Sequence, residues 1–194
     1  MSYNEQPGRC IIFSAPSGAG KTTLVRHILN MRSDLAFSVS ATSRAPRGDE
    51  REGFDYYYMS PDEFRAQIAA EAFVEWEEVY HDQYYGTLKA EIVRIWGNQK
   101  HVVFDVDVEG GVNLKAAFGD RALSVFVQPP SLAVLENRLR SRGTESDENI
   151  AKRMAKAERE LTYVNRFDHI LVNDDLERAK LEVVDLVERY LTKN

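Results

Sequence analysis

The chain has a single cysteine, Cys10. A lone cysteine excludes an internal disulfide, and with it the small secreted scaffolds built on such crosslinks. Cys10 opens an apolar run, so it reads as a small buried hydrophobe rather than a reactive thiol. Long hydrophobic runs are also missing. The first residues, MSYNEQPGR, are polar, and no apolar stretch approaches the roughly 20 residues of a membrane span. There is no excess of basic charge: 25 Lys and Arg face 31 Asp and Glu, a net charge of −6. That balance argues against a general nucleic-acid binder but leaves room for a local basic pocket. Internal repeats and low-complexity tracts are absent too. Together these absences predict a cytoplasmic protein with neither a membrane nor a nucleic acid as partner.

What remains is an ordinary globular composition, 43% hydrophobic and 29% charged over 194 residues, enough for one domain with a real core. Apolar runs alternate with helical patterns, which predicts an α/β fold around a parallel sheet. Core strands are expected at residues 10–15, 36–41, 101–107, 123–128 and 169–173, short and nearly continuous in apolar residues, as strands covered on both faces should be. Helices are expected at 22–31, 131–141, 147–166 and 176–191. Residues 43–89 break the pattern. They are rich in Arg, acidic and aromatic residues and read as an inserted lobe with its own strands. Within it Ser60, Pro61 and Glu63 form a helix-start signal. A charged stretch with a Gly-centred break, residues 138–153, reads as a mobile flap.

The stretch IIFSAPSGAGKTTL carries the chemistry. A phosphate loop is Gly, four residues, then Gly-Lys-Ser/Thr; here the first position is Ala15 and the rest is in place. Gly18 and Gly20 let backbone amides turn onto an anion, and the helix start adds partial positive charge. Lys21 can reach a transferred phosphoryl group, and the Thr22 hydroxyl can hold Mg²⁺. A plain Gly-rich turn would explain Gly18 and Gly20, but not the Lys-Thr pair at the required offset. The strand VVFDVD then ends in Asp105 and Asp107, where a magnesium-organising carboxylate is expected. In the inserted lobe, Arg44 and Arg47 lie three apart near Tyr56. Two guanidinium forks and a phenol suit a monophosphate, although a solvated basic loop would look the same locally. Glu75, Tyr85 and Thr87 follow.

Taken in order, SAPSGAGKTTL, FSVSATSRAPRGDE, GFDYYYMS, FVEWEEV, YYGT, VVFDVDVEGG, RLRSRGTES and LVNDDL resemble the guanylate kinase family over nearly the whole chain. The resemblance implies a P-loop kinase that makes GDP from GMP and ATP, with dGMP as a further acceptor and Mg²⁺ as cofactor. It implies a five-stranded parallel core flanked by helices (residues 1–38, 90–134 and 160–194), a mixed α+β GMP-binding lobe (39–89) and a helical lid (135–159). Ser17, Gly18, Ala19, Gly20, Lys21, Thr22 and Thr23 would hold the ATP phosphates, with Asn173 and Asp174 near adenine and Thr22 and Asp105 on the metal. Arg44, Arg47, Tyr56 and Tyr85 would bind the GMP phosphate. Ser40, Glu75, Thr87 and Asp107 would face the guanine or its surroundings. Lys21, Arg44 and the lid-side Arg138, Arg142 and Arg153 would serve the transfer itself. The assembly would be a monomer or a homodimer. The chain departs from the family at Ala15, usually Gly, and at Glu109, often Gln.

The base assignment also has a chemical rationale. Guanine offers two donors, N1–H and the 2-amine, which one ionised carboxylate at Glu75 accepts together; adenine would leave that carboxylate unpaired. A monophosphate oxygen is already ionised near neutral pH, so no general base is needed, and His27, His81, His101 and His169 read as ordinary residues. Three rivals differ in class: a kinase of another small phosphate, a non-catalytic scaffold module, and a nucleotide-dependent switch. Glu75, Lys21 and the paired arginines respectively weigh against them.

Overall fold

The structure is a computed structural model, described here for residues 8–141 and 146–192. Its core is a five-stranded parallel sheet in the order β2-β7-β1-β8-β9, formed by β1 (Cys10–Ser14), β2 (Leu35–Phe37), β7 (His101–Val106), β8 (Ala122–Gln128) and β9 (His169–Val172). Alternation along β1 divides the core. Ile11 and Phe13 pack with Leu24, Val25 and Ile28 of α1 (Lys21–Met31) and with Val183 and Val187 of α7 (Leu176–Thr192). Cys10 and Ile12 face the other way, onto Ile92, Ile95 and Trp96 of α3 (Lys89–Gly97) and Leu114 and Phe118 of α4 (Val108–Phe118). Burial pushes the Cys10 thiol far up, so it stays protonated and inert. Ala15 is buried in the α1 and α7 side of this core, so its methyl contributes packing where the strict loop pattern has glycine.

A second, mixed sheet of four strands has the order β4-β3-β6-β5, from β3 (Ala41–Thr42), β4 (Tyr57–Tyr58), β5 (Phe73–Tyr80) and β6 (Gln83–Leu88). Helix α2 (Pro61–Ala69) covers it through Phe64, whose ring stacks on Phe73 at 4.4 Å between centroids. The expected start signal of α2 is a full capping box: Ser60 Oγ accepts from the Glu63 amide at 3.2 Å and Glu63 Oε2 accepts from the Ser60 amide at 2.7 Å. Two further helices, α5 (Leu132–Ser141) and α6 (Asp147–Leu161), pack together through Leu135, Leu139 and Ala157.

Four expectations need correction. Residues 36–41 are not one strand: the chain leaves the parallel sheet after Phe37 and joins the mixed sheet at Ala41. The crossover is pinned by backbone bonding and by a buried acid. Ser38 N donates to Val103 O at 2.9 Å, and Val39 N donates to Glu91 Oε1 at 3.1 Å. Residues 147–166 are an α-helix to Leu161 followed by a separate 3-10 turn, Val164–Arg166. Helices α3 and α4 have no counterpart among the expected elements. Helix α3 follows β6 directly, with Leu88 at its start and no capping side chain. Helix α4 carries Gly110 and Gly111 in its first turn, which reads as a loop. Gly111 is there because a Cβ would collide with Ser14 Oγ.

Glu91 joins the two sheets. Besides Val39 N it accepts from Tyr57 Oη on β4 at 3.1 Å and from Arg94 Nε and Nη2, each at 2.7 Å. Burial opposes its ionisation, but the Arg94 fork and the Val39 amide outweigh that and hold the carboxyl below its ordinary range. Replacing it strands a buried amide and a phenol. Glu91→Ala should therefore lower unfolding free energy by roughly 3 kcal/mol in urea titration. A loss under about 1 kcal/mol would show that the crossover holds without it.

Candidate active site

The parallel register sets the site. Phe13 pairs with Asp105 and Ser14 with Val106, so the loop that leaves β1 lies beside the end of β7. In that loop Gly18 and Gly20 have φ of 97° and 94°, a region that favours glycine. Gly20 starts α1, and no side chain caps it. Thr23 N bonds back to Gly20 O at 3.2 Å, and the two amides before it are left for an anion, which the helix dipole also favours. Behind the loop stands Asn173, a buried residue whose Nδ2 donates to Ala19 O at 2.7 Å. Its Oδ1 has no hydrogen-bond partner among the described residues. Asp174, by contrast, is exposed and pairs with Arg178.

Asp105 receives two of the loop's side chains. Its Oδ1 pairs with Lys21 Nζ, and its Oδ2 accepts from Thr22 Oγ1 at 2.9 Å. Lys21 Nζ donates also to Val106 O at 2.8 Å. An arginine of α6 reaches this loop, and one of α5 reaches the residue behind it. Arg153 Nη1 donates to Ser17 Oγ at 2.6 Å, and Arg138 Nη2 to Asn173 O at 2.9 Å. Arg142, expected beside them, lies outside the described residues.

One cleft of about 650 Å³ runs from residues 15–18 and 20–23 to the mixed sheet, where Ser40, Arg47, Tyr56, Glu75, Glu77 and Tyr85 line it. The expected cationic end is assembled there. Arg44 Nε donates to Tyr85 Oη at 3.1 Å, its guanidinium lies 4.9 Å from the Tyr56 ring centroid, and the Tyr56 and Tyr85 rings are 6.0 Å apart. Arg47 lines the cleft with its side chain unpaired among the described residues. Sequence reasoning did not single out Glu50 or Tyr58. Glu50 grips both Arg44 Nη atoms at 2.7 and 2.8 Å and accepts from Tyr58 Oη at 2.8 Å. The Arg44 fork, with the Arg47 amide and Tyr58, holds its carboxyl down at about 2. Only its charge, six residues after Arg44, could have signalled it.

The opposite wall is acidic. Glu75 accepts from Thr87 Oγ1 at 2.7 Å. Burial raises its carboxyl to about 7, with the Thr87 hydroxyl pulling down and the Asp107 charge pushing up. Asp107 starts α4, its Oδ1 accepting from Gly110 N at 2.9 Å. Gly110 keeps the space between these acids open: an added Cβ would lie 3.2 Å from Asp107 Oδ1 and 3.6 Å from Glu75 Oε2. Glu77 is also raised to about 7, by burial, by Asp107 and by a hydrogen bond with the exposed Glu109. None of the four histidines lines the cleft.

One cleft therefore offers a phosphate loop with a lysine, a second cationic pocket and an acidic wall. The loop's geometry can be checked alone. Alanine at Gly20 must adopt a left-handed backbone and push Asn173 Nδ2 away. Gly20→Ala should cost at least about 1–2 kcal/mol in urea denaturation. No measurable change would mean that the loop relaxes freely.

Comparisons with known proteins agree with one another. The family profile described as Guanylate kinase matches residues 7–190. The guanylate kinase of Bacteroides thetaiotaomicron is 50% identical over 193 residues, covering 100% of this chain and 95% of that protein. That of Porphyromonas gingivalis is 50% identical over 186 residues, covering 95% and 99%. The crystal structure of guanylate kinase from Anaplasma phagocytophilum superposes with a TM-score of 0.74 at 24% identity, covering 96% of this chain and 88% of that one; it bears on the fold alone.

Proposed function

This chain belongs to the guanylate kinase family, and from that premise we propose how its residues divide the work. It is an ATP:GMP phosphotransferase, moving the γ-phosphoryl group of ATP to a phosphate oxygen of GMP to give ADP and GDP. The observation that carries the residue assignment is the single cleft, with a phosphate loop at one end and an arginine–tyrosine pocket at the other. A switch or a simple ATPase has no use for the second pocket.

Residues 17–23 bind the ATP phosphates, with Asn173 acting through the loop it props and Asp174 on the adenine side. Lys21 holds the transferring group. Arg153, next to Ser17, and Arg138, next to Asn173, stand where charge develops on that group. Arg44, Arg47, Tyr56 and Tyr85 take the GMP phosphate. Glu50 keeps the Arg44 fork aimed before substrate arrives, so little ordering remains to be done on binding. Glu75, held by Thr87, accepts N1–H and the 2-amine of guanine, with Asp107 beside it and Ser40 lining the same end. Residues 39–89 thus form the acceptor lobe, 135–159 the lid side, and the rest the core.

Thr22 Oγ1 and Asp105 fit Mg²⁺: they are hard oxygen donors side by side at the start of α1. Held by Thr22 Oγ1 and Asp105, the ion would supply positive charge that offsets the charge on the ATP phosphates. For the protein's own groups the task is positioning. Two anions that repel each other must be brought in line, and no side chain has to remove a proton. The lobe would take dGMP as well, since every base and phosphate contact named here is present in both nucleotides.

The first test is ADP release with GMP, dGMP, AMP, CMP, UMP and ribose 1,5-bisphosphate as acceptors. Selective turnover of GMP and dGMP is expected. Lys21→Ala should lower kcat about 100-fold or more, and Glu75→Gln should lower kcat/KM for GMP by about 100-fold. Turnover without base selectivity would overturn the Glu75 assignment.

A pH dependence follows from the same residue. Glu75 must be ionised to accept both donors, and in the free protein its carboxyl titrates at about 7. Acidification below that point therefore protonates it and raises KM for GMP, by at most about tenfold per pH unit. In the ratio to Glu75→Gln the titration of the GMP phosphate cancels. A flat ratio between about pH 6 and 8 would contradict the raised value.

A further inference from the structure

Helix α6 brings two cations to the cleft. Arg153 meets Ser17 of the phosphate loop. Lys156, three residues on and so on the same helical face, reaches the acidic wall. Its Nζ lies 3.8 Å from Asp107 Oδ2 and 3.5 Å from Glu160 Oε1. Lys156 and Glu160 both line the cleft. Glu77 on β5, Asp107 at the start of α4 and Glu160 on α6 all act on this ammonium, with Glu109 behind Glu77 and Glu75 beside Asp107. Lys21, across the cleft, also acts on Glu160.

The two oxygens of Asp107 have different partners. Oδ1 accepts from the Gly110 amide at 2.9 Å, which fixes one end of the carboxylate. Oδ2 faces Lys156. One oxygen is thus fixed by a hydrogen bond inside α4, and the other is drawn toward an ammonium on α6 at ion-pair distance. The pair is open to solvent, with side-chain exposure of 53% for Lys156 and 37% for Asp107. Ion pairs that open contribute little to folding. Any larger consequence of Lys156 must therefore be felt in the cleft.

We propose that Lys156 is a positioning residue for the acceptor base. It sets the Asp107 carboxylate beside Glu75, and it ties the seating of guanine to the helix that brings Arg153 to the phosphate loop. This rests on the base assignment above. The competing view is that Lys156 only pairs with Glu160 four residues on, an ordinary support for a helix.

The experiment is steady-state kinetics on the full chain with Lys156→Met, Lys156→Arg and, in parallel, Glu75→Gln. Lys156→Met is expected to raise KM for GMP about tenfold while KM for ATP stays within about twofold. Lys156→Arg should restore most of the loss, and thermal melting should barely move in either. The inference is overturned if Lys156→Met leaves KM for GMP within about twofold, raises both KM values alike, or is matched by Lys156→Arg. If Glu75→Gln keeps its selectivity for GMP, the base assignment itself has failed. If Glu75→Gln loses it while Lys156→Met is silent, only the role of Lys156 falls.

Discussion

The carboxylate of Asp105 is the point from which the site is built. It takes Lys21 on one oxygen and Thr22 on the other. Without a bound anion, a lysine at the start of a helix sits in the positive end of the dipole. Asp105 offsets that charge and holds both side chains over the loop. It can do so because β7 lies next to β1 in parallel register, which brings the ends of both strands out on the same edge. Crossover connections between parallel strands leave that edge to loops, and ligands bind there in open α/β sheets. The phosphate loop, the acidic strand end and Asn173, just past β9, therefore meet without any long-range adjustment of the fold.

On the residue assignment proposed above, the acceptor end solves a different problem. Its substrate carries a dianionic phosphate and a base whose recognition calls for carboxylates. These demands conflict unless they are separated in space, since acids beside the phosphate would repel it. The mixed sheet separates them. Arg44, Tyr56 and Tyr85 contact one another in one cluster, and Glu75 and Asp107 act on each other in a second. Each group is then pre-set by a neighbour. Glu50 orders Arg44, Thr87 orders Glu75, and the Gly110 amide orders Asp107. Crowding of the acids is visible in Glu75 and Glu77, both raised to about 7.

What the sequence made legible was local. The loop, the helix after it and the capping box at Ser60 depend on residues a few positions apart, and they stand where they were expected. Arg44 and Tyr56 were legible from the residues and Tyr85 from the family pattern, and the fold brings the three within reach of one another. The missing pieces depend on distant partners. Helix α4 begins with two glycines because Ser14 and two carboxylates crowd its first turn, and none of that is visible from residues 107–118 alone. The split of residues 36–41 depends on Glu91, more than fifty positions away. Glu50 and Lys156 look like surface charges until the chain is folded. Exposed charges are common and most of them contribute little, so charge alone could not have distinguished these two.

Glu91 shows how the two sheets come to act as one site. The crossover after Phe37 and the turn from β6 into α3 are the two strands of chain between core and lobe. Glu91 stands on α3 and bonds across to the first crossover at Val39 and to β4 at Tyr57. A buried carboxylate with four donors has few alternative arrangements, because each lost bond leaves a polar group stranded. The lobe is thus fastened at its base, while its rim, with Arg47 exposed, faces the cleft. On the proposed assignment, a base fixed in this way holds the acceptor pocket in a constant orientation to the core that carries Lys21. In-line transfer between two anions needs that orientation more than it needs reactive groups, since the chemistry asks only that the two phosphates be aligned and their charge offset.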